Sequence, residues 1–193
     1  MKGSYNIKIE AKRIKYELRI NRNITIIQGD SATGKTTLVK YVDDYYNEGK
    51  NSGIKIECNK TCIALKGKNW QRDLESISDC IVFIDEGNKF VKSSDFAEAI
   101  KHTDNYYVII TREDLDNLPY SVHEIYGLRT SGRTEIGKPV YNEMFRLYGE
   151  YAEDKEIKPK IIITEDDKSG YQFFKSVCRT LDVLCEPAKA QTK

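Results

Sequence analysis

The eight residues Gly29-Asp30-Ser31-Ala32-Thr33-Gly34-Lys35-Thr36 restrict the fold more than any other stretch of this 193-residue chain. They separate a short apolar run, 23–28 (NITIIQ), from a segment, 35–46, in which Leu38, Val39, Val42 and Tyr45 recur at helical spacing. A buried strand, a glycine turn and an amphipathic helix together predict an α/β fold built on a parallel sheet. The spacing G-x-x-x-x-G-K-T adds chemistry to the geometry. Its glycines tolerate positive φ angles that aim successive N–H groups inward. With the helix N-terminus, those amides make a nest for anionic oxygens. Lys35 is expected to reach the β and γ phosphates of a nucleoside triphosphate, and Thr36 to give its hydroxyl to Mg2+. Residues Gly29, Asp30, Ser31, Ala32, Thr33, Gly34, Lys35, Thr36 and Thr37 are the predicted nucleotide-binding set.

A second signal lies 50 residues on. The run 81–84 (IVFI) ends in Asp85 and Glu86. An aspartate at the carboxyl end of a parallel strand can hold Mg2+ beside the phosphate loop. The next glutamate can orient or deprotonate an attacking water. A further buried run, 106–110 (YYVII), ends in Thr111 and Arg112, as would a strand simply ending in polar residues.

Together these motifs resemble P-loop NTPases of the additional-strand, catalytic-glutamate division, which includes AAA+, RecA-like and ABC-type ATPases. The resemblance covers about residues 4–130. It implies a three-layer fold with a mostly parallel central sheet and helices on both sides. It also implies ATP and Mg2+ as ligands, with Lys35, Glu86 and Thr111 as catalytic residues and Thr36 and Asp85 as metal ligands. Two alternating segments, 4–10 and 14–20, read as an antiparallel strand pair, similar to the layer that precedes the loop in ABC-type and RecF-like ATPases. No L-S-G-G-Q signature and no long coiled coil is present, which argues against a transporter motor or a chromosome-maintenance ATPase. No N-K-x-D motif favours GTP. Arg129 and Arg133 are the candidates for an arginine finger.

The remainder of the chain reads as strands at 54–58 and 61–65, helices at 70–78 and 94–102, a helical turn at 113–118, a strand at 122–128 and a mobile loop at 130–138. Residues 1–150 are assigned to the nucleotide domain, and 151–193 to a linker and a small β-α appendage with a disordered tail from 186. In that appendage, 160–164 (KIIIT) runs into Glu165, Asp166 and Asp167. This resembles the opening of a Toprim module, which overcoming-lysogenization-defect (OLD) nucleases join to an ABC-like ATPase; the alternative is one more β-α unit.

Charge and composition exclude little. Charged residues are 32% and apolar ones 39%, and the net charge of +1 argues neither for nor against nucleic acid. The basic excess of Lys2, Lys8, Lys12, Arg13, Lys15, Arg19 and Arg22 reads as the wet face of the strand pair, or else as a phosphate-facing surface. Five cysteines without zinc spacing read as reduced thiols. With no apolar leader or membrane span, the expected location is the cytoplasm. Three functions compete: an ATPase acting on DNA, a partner protein or its own copies; a small kinase; and a nucleotide-dependent binding module with little turnover.

Overall fold

The computed structural model describes residues 3–29, 33–131, 140–148, 160–165, 167–179 and 183–188. The chain forms two compact units, Met1–Gly149 and Glu150–Lys193.

Alternation sets the first two strands of the larger unit. In β1 (Tyr5–Glu10) and β2 (Ile14–Ile20), paired antiparallel, Ile7 faces Leu18 and Ile9 faces Tyr16. These four side chains are buried, while Lys8 pairs with Glu17 and Lys15 with Glu10 on the opposite face. Part of the basic N-terminal excess is therefore a solvated, charge-paired strand face.

Seven more strands complete one sheet: β3 (Ile24–Ile27), β4 (Lys55–Glu57), β5 (Cys62–Ala64), β6 (Ile81–Ile84), β7 (Tyr106–Ile110), β8 (Ile125–Ser131) and β9 (Val140–Arg146). Their order is β4-β1-β2-β9-β8-β3-β7-β6-β5. The block β5-β6-β7-β3-β8 is parallel throughout. The sheet as a whole is mixed, because β1 pairs antiparallel with β2 and β4, and β8 with β9.

Both faces of the parallel block are covered, which explains its continuous apolar runs. On one face α1 (Lys35–Glu48) packs Leu38, Val39 and Val42 against Ile27, Phe83, Val108 and Ile110. On the other, α2 (Trp70–Glu75) and α3 (Ser94–Lys101) pack Trp70, Leu74, Phe96 and Ile100 against Ile26, Val82, Ile84 and Ile109. The hydroxyl of Ser93 caps α3 by accepting from Phe96 N at 3.1 Å.

The sheet is strongly curled. Only residues 58–61 separate β4 from β5, although these strands occupy opposite edges. Nine flat strands span about 38 Å at ~4.8 Å per gap, whereas five residue steps reach at most about 18 Å. The edges must therefore approach each other. Tyr5 of β1 and Tyr106 of β7 have four strands between them in the sheet order, yet their ring centroids are 4.9 Å apart. Helix α1 lies on the concave side of this curl.

Several expected elements differ. Residues 113–118 form bends and a turn instead of a helical turn, because Thr111 Oγ1 accepts from Glu113 N at 3.0 Å and Asn117 Nδ2 ties the segment to Val91 O and Ser93 O. The strand expected from 122 starts at Ile125, after the short 3-10 helix Val122–Glu124. Thr130 and Ser131, assigned to a loop, pair with Asn142 and Tyr141 of β9; residues 132–139 lie outside the described residues, as does the linker at 149–159.

In the smaller unit, β10 (Ile161–Thr164) and β11 (Leu184–Pro187) pair in parallel, joined through α4 (Ser169–Cys178). Thus 186 and 187, expected in the tail, are strand. Cys178 and Cys185 are buried. Among the described residues no helix is long and apolar enough to cross a membrane.

One core position invites a test. Thr25 is fully buried in β3, and its hydroxyl has no protein partner. A buried unsatisfied hydroxyl costs about 1–3 kcal/mol, and an apolar group of the same shape avoids that cost. Thr25→Val is expected to stabilise the protein by about 1 kcal/mol, raising Tm by roughly 2–4 °C in differential scanning calorimetry. A lowered Tm would contradict the burial of an unpaired group.

Candidate phosphate-binding site

Parallel register brings the site together. Ile27 lies beside Ile110, and Ile84 beside Ile109, so β3, β7 and β6 end at one rim of the sheet. Gly29 follows β3, Asp85 follows β6 and Thr111 follows β7. Gly29 and Gly34 have φ of +125° and +83°, a region that glycine enters without steric cost. Asp30, Ser31 and Ala32 lie outside the described residues.

Lys35 opens α1 and is 6% exposed. Its ammonium folds back over the turn, donating to Gly29 O and Thr33 Oγ1, each at 2.8 Å. One residue later, the Thr36 hydroxyl reaches across 49 positions to Asp85 Oδ1 at 3.5 Å. Asp85 is itself held: the same oxygen accepts from Glu86 N at 2.9 Å, and its carbonyl accepts from Asn88 Nδ2 at 2.9 Å. Asn88 in turn accepts from Gly67 N at 3.1 Å, linking the end of β6 to the segment after β5.

Glu86 points at Arg112. The guanidinium Nε lies 2.8 Å from its carboxylate, and both groups are exposed. With Thr33, Gly34, Lys35, Thr36 and Thr37 they line a cavity of about 180 Å3. Thr111 is buried, and its hydroxyl is engaged with the backbone of Glu113, donating to the carbonyl at 3.0 Å. The sequence treated Thr111 and Arg112 together, but it is Arg112 that lines the cavity and meets Glu86.

No protein-family model and no curated protein matches this chain.

The fit of the implied ligands rests on the donor set. Thr36 and Asp85 offer oxygen atoms, which Mg2+ prefers, and Mg2+ commonly takes only one or two protein ligands beside phosphate oxygens and waters. Among the described residues no three His, Cys, Asp or Glu side chains converge as a metal-holding group. That applies also to the C-terminal acids, of which Glu165 and Asp167 are described and Asp166 is not. A buried lysine beside left-handed glycines suits polyphosphate oxygens. The residues present therefore fit both groups.

Tyr16 belongs to the site, although its sequence context shows only an alternating strand. Its hydroxyl donates to Gly34 O at 2.8 Å from β2. Burial, more than the neighbouring Tyr41, pushes its pKa up to about 12, so it remains a donor at any physiological pH. A Cβ on Gly34 would sit 2.8 Å from Tyr16 Oη. Gly34→Ala thus meets both a clash and an unfavourable φ, together about 2 kcal/mol. The expected result is a Tm lower by roughly 4–8 °C in differential scanning calorimetry. Adding Tyr16→Phe should recover part of the loss, because only the clash is relieved.

One candidate arginine stands elsewhere. Arg129 pairs with Glu143 at 2.9 Å and packs on Phe145 within the β8–β9 pair. Arg133 lies outside the described residues.

Proposed function

We propose that this chain is a Mg2+-dependent ATP-binding protein that hydrolyses its nucleotide, of the P-loop, additional-strand, catalytic-glutamate kind. The observation that carries the reading is the 3.5 Å approach of Thr36 Oγ1 to Asp85 Oδ1. It joins the motif at the start of α1 to the acidic end of β6, two features far apart in sequence. The strand order adds support, since β7 stands between the loop strand β3 and the acidic strand β6.

In this reading Lys35 and the loop amides bind the phosphates, and Thr36 and Asp85 hold Mg2+. The bound ion supplies neutralisation of phosphate charge. Glu86 orients the attacking water and accepts its proton. Arg112 fixes the Glu86 carboxylate and presents positive charge to the same cavity. Turnover would drive a change acting on a partner protein, on DNA or on a second copy of the chain. Titration calorimetry with MgATP and MgGTP, followed by phosphate release with and without DNA, tests the reading. Absence of nucleotide binding overturns it.

A specific observation favours a second reading. A larger cavity, about 390 Å3, adjoins Thr36 and Asp85 and is lined also by Lys40, Asp43, Lys66 and Asn88. This is within the range that holds a small molecule, so a phosphate acceptor has a place beside the site. Transfer of the γ-phosphate to an added nucleotide or metabolite, in place of release, would select the kinase.

A further inference from the structure

The short link between β4 and β5 carries chemistry unrelated to phosphate. Cys58, which opens the link, and Cys62, the first residue of β5, bracket Lys60. The Lys60 backbone N–H donates to Cys58 Sγ at 3.5 Å, and the Cys62 thiol lies 3.9 Å from Lys60 O. Each thiol is also the largest single influence on the other's acidity. Two thiols four residues apart thus converge on one residue of a tight turn.

Their exposure differs. Cys62 is 5% exposed. Cys58 is half-buried and lines an open polar cavity of about 290 Å3 with Tyr5, Lys8, Glu57 and Asn59 among its walls. A small oxidant can therefore reach Cys58 before Cys62. The surroundings favour a thiolate at Cys58. The Cys62 thiol is the main influence, and the amides of Lys60 and Asn59 and the charge of Lys60 assist against burial; the Cys58 pKa falls to about 6. Cys62 is pushed up by the same interaction and by burial. The Lys60 ammonium is anchored over the rings of Tyr5 and Tyr106 and paired with Asp79. Lys8 adds positive charge and Glu57 negative charge at the cavity wall. Cys80, the third thiol nearby, is pushed up by burial and by Asp79, and donates to Ser78 O at 3.1 Å.

We infer that Cys58 and Cys62 form a peroxide-reactive dithiol, with Cys58 as attacking thiolate and Cys62 as resolving thiol. Cys58 sulfur attacks one oxygen of hydrogen peroxide. An S–O bond forms, the O–O bond breaks, and the departing hydroxide takes a proton and leaves as water. Cys62 then loses its proton and attacks the sulfenic sulfur. The S–S bond forms, the S–O bond breaks, and a second water leaves. Two thiols lose two electrons, and one peroxide becomes two waters.

The test treats the reduced full chain with equimolar hydrogen peroxide and maps peptides by mass spectrometry without reduction. The expected product is a Cys58–Cys62 cross-link, with two of the five thiols lost and both restored by dithiothreitol. In Cys62→Ser, dimedone should label Cys58. In Cys58→Ser, the cross-link should vanish and peroxide consumption should fall about tenfold. Circular dichroism checks that both variants are folded. Alkylation of Cys58 by iodoacetamide should be half-maximal near pH 6, against about 8.5 for an ordinary thiol. Faster oxidation at Cys80 or Cys178 overturns the inference. So does a wild-type Cys58 sulfenic acid that never proceeds to the cross-link.

Discussion

Lys35→Ala is expected to weaken MgATP binding by about 30-fold to several thousandfold, or about 2–5 kcal/mol, the range for truncating one partner of a buried charged contact. The side chain is 6% exposed, and its ammonium is fixed by two bonds of 2.8 Å over the loop that would receive the phosphates. Little rearrangement is then needed on binding, so most of its attraction is available to the ligand. Alanine leaves no buried charge behind, and the ligand-free Tm should not fall by more than a few degrees. The stabilisation produced by MgATP, about 2.7 kcal/mol at a hundredfold excess over the wild-type Kd, should fall below about 1 kcal/mol at the same concentration. A variant that binds as tightly as the wild type would remove the loop from the proposed function.

Glu86→Gln should separate binding from turnover. The carboxylate lines the cavity 2.8 Å from Arg112 and is not part of the loop. The amide is nearly the same size, so affinity should change by less than about threefold. Loss of a general base costs about 10^2–10^4 in rate, and ATP hydrolysis should fall by that factor in a phosphate-release assay. Unchanged turnover would remove Glu86 from catalysis. If γ-phosphate passes to an acceptor and this transfer ignores Glu86, the cavity beside Lys40 and Lys66 becomes the place to seek the substrate.

Legibility in the sequence followed the range of the interactions involved. Buried parallel strands announced themselves, because a strand covered on both faces is apolar at every position, as at Ile81–Ile84 and Tyr106–Ile110. The segment from Gly29 to Thr36 was readable because local backbone needs and local chemistry coincide there. Residues 113–118 misled because Leu115 and Leu118 have helical spacing; side-chain bonds from Thr111 and Asn117 hold a turn there instead. Tyr16 and the Glu86–Arg112 pair were hidden for another reason. Tyr16 depends on β2 being carried over the loop, and Glu86–Arg112 on β6 pairing with β7, and neither arrangement leaves a local pattern. Cys58 and Cys62 read in the sequence as two of five reduced thiols, since their convergence on Lys60 is a property of the link between distant edges.

That curl also bears on how copies of this protein meet. The margin of an open sheet is a row of backbone donors and acceptors, an invitation to strand addition and fibrous aggregation. Here one margin is the three-residue β4, whose Lys55 and Glu57 are exposed charges, and the other is the three-residue β5. Both are short, and the link at 58–61 draws them toward each other. Little continuous template is left for a neighbouring chain to extend. Assembly through this unit is therefore expected to pair side-chain surfaces instead of prolonging the nine-stranded sheet.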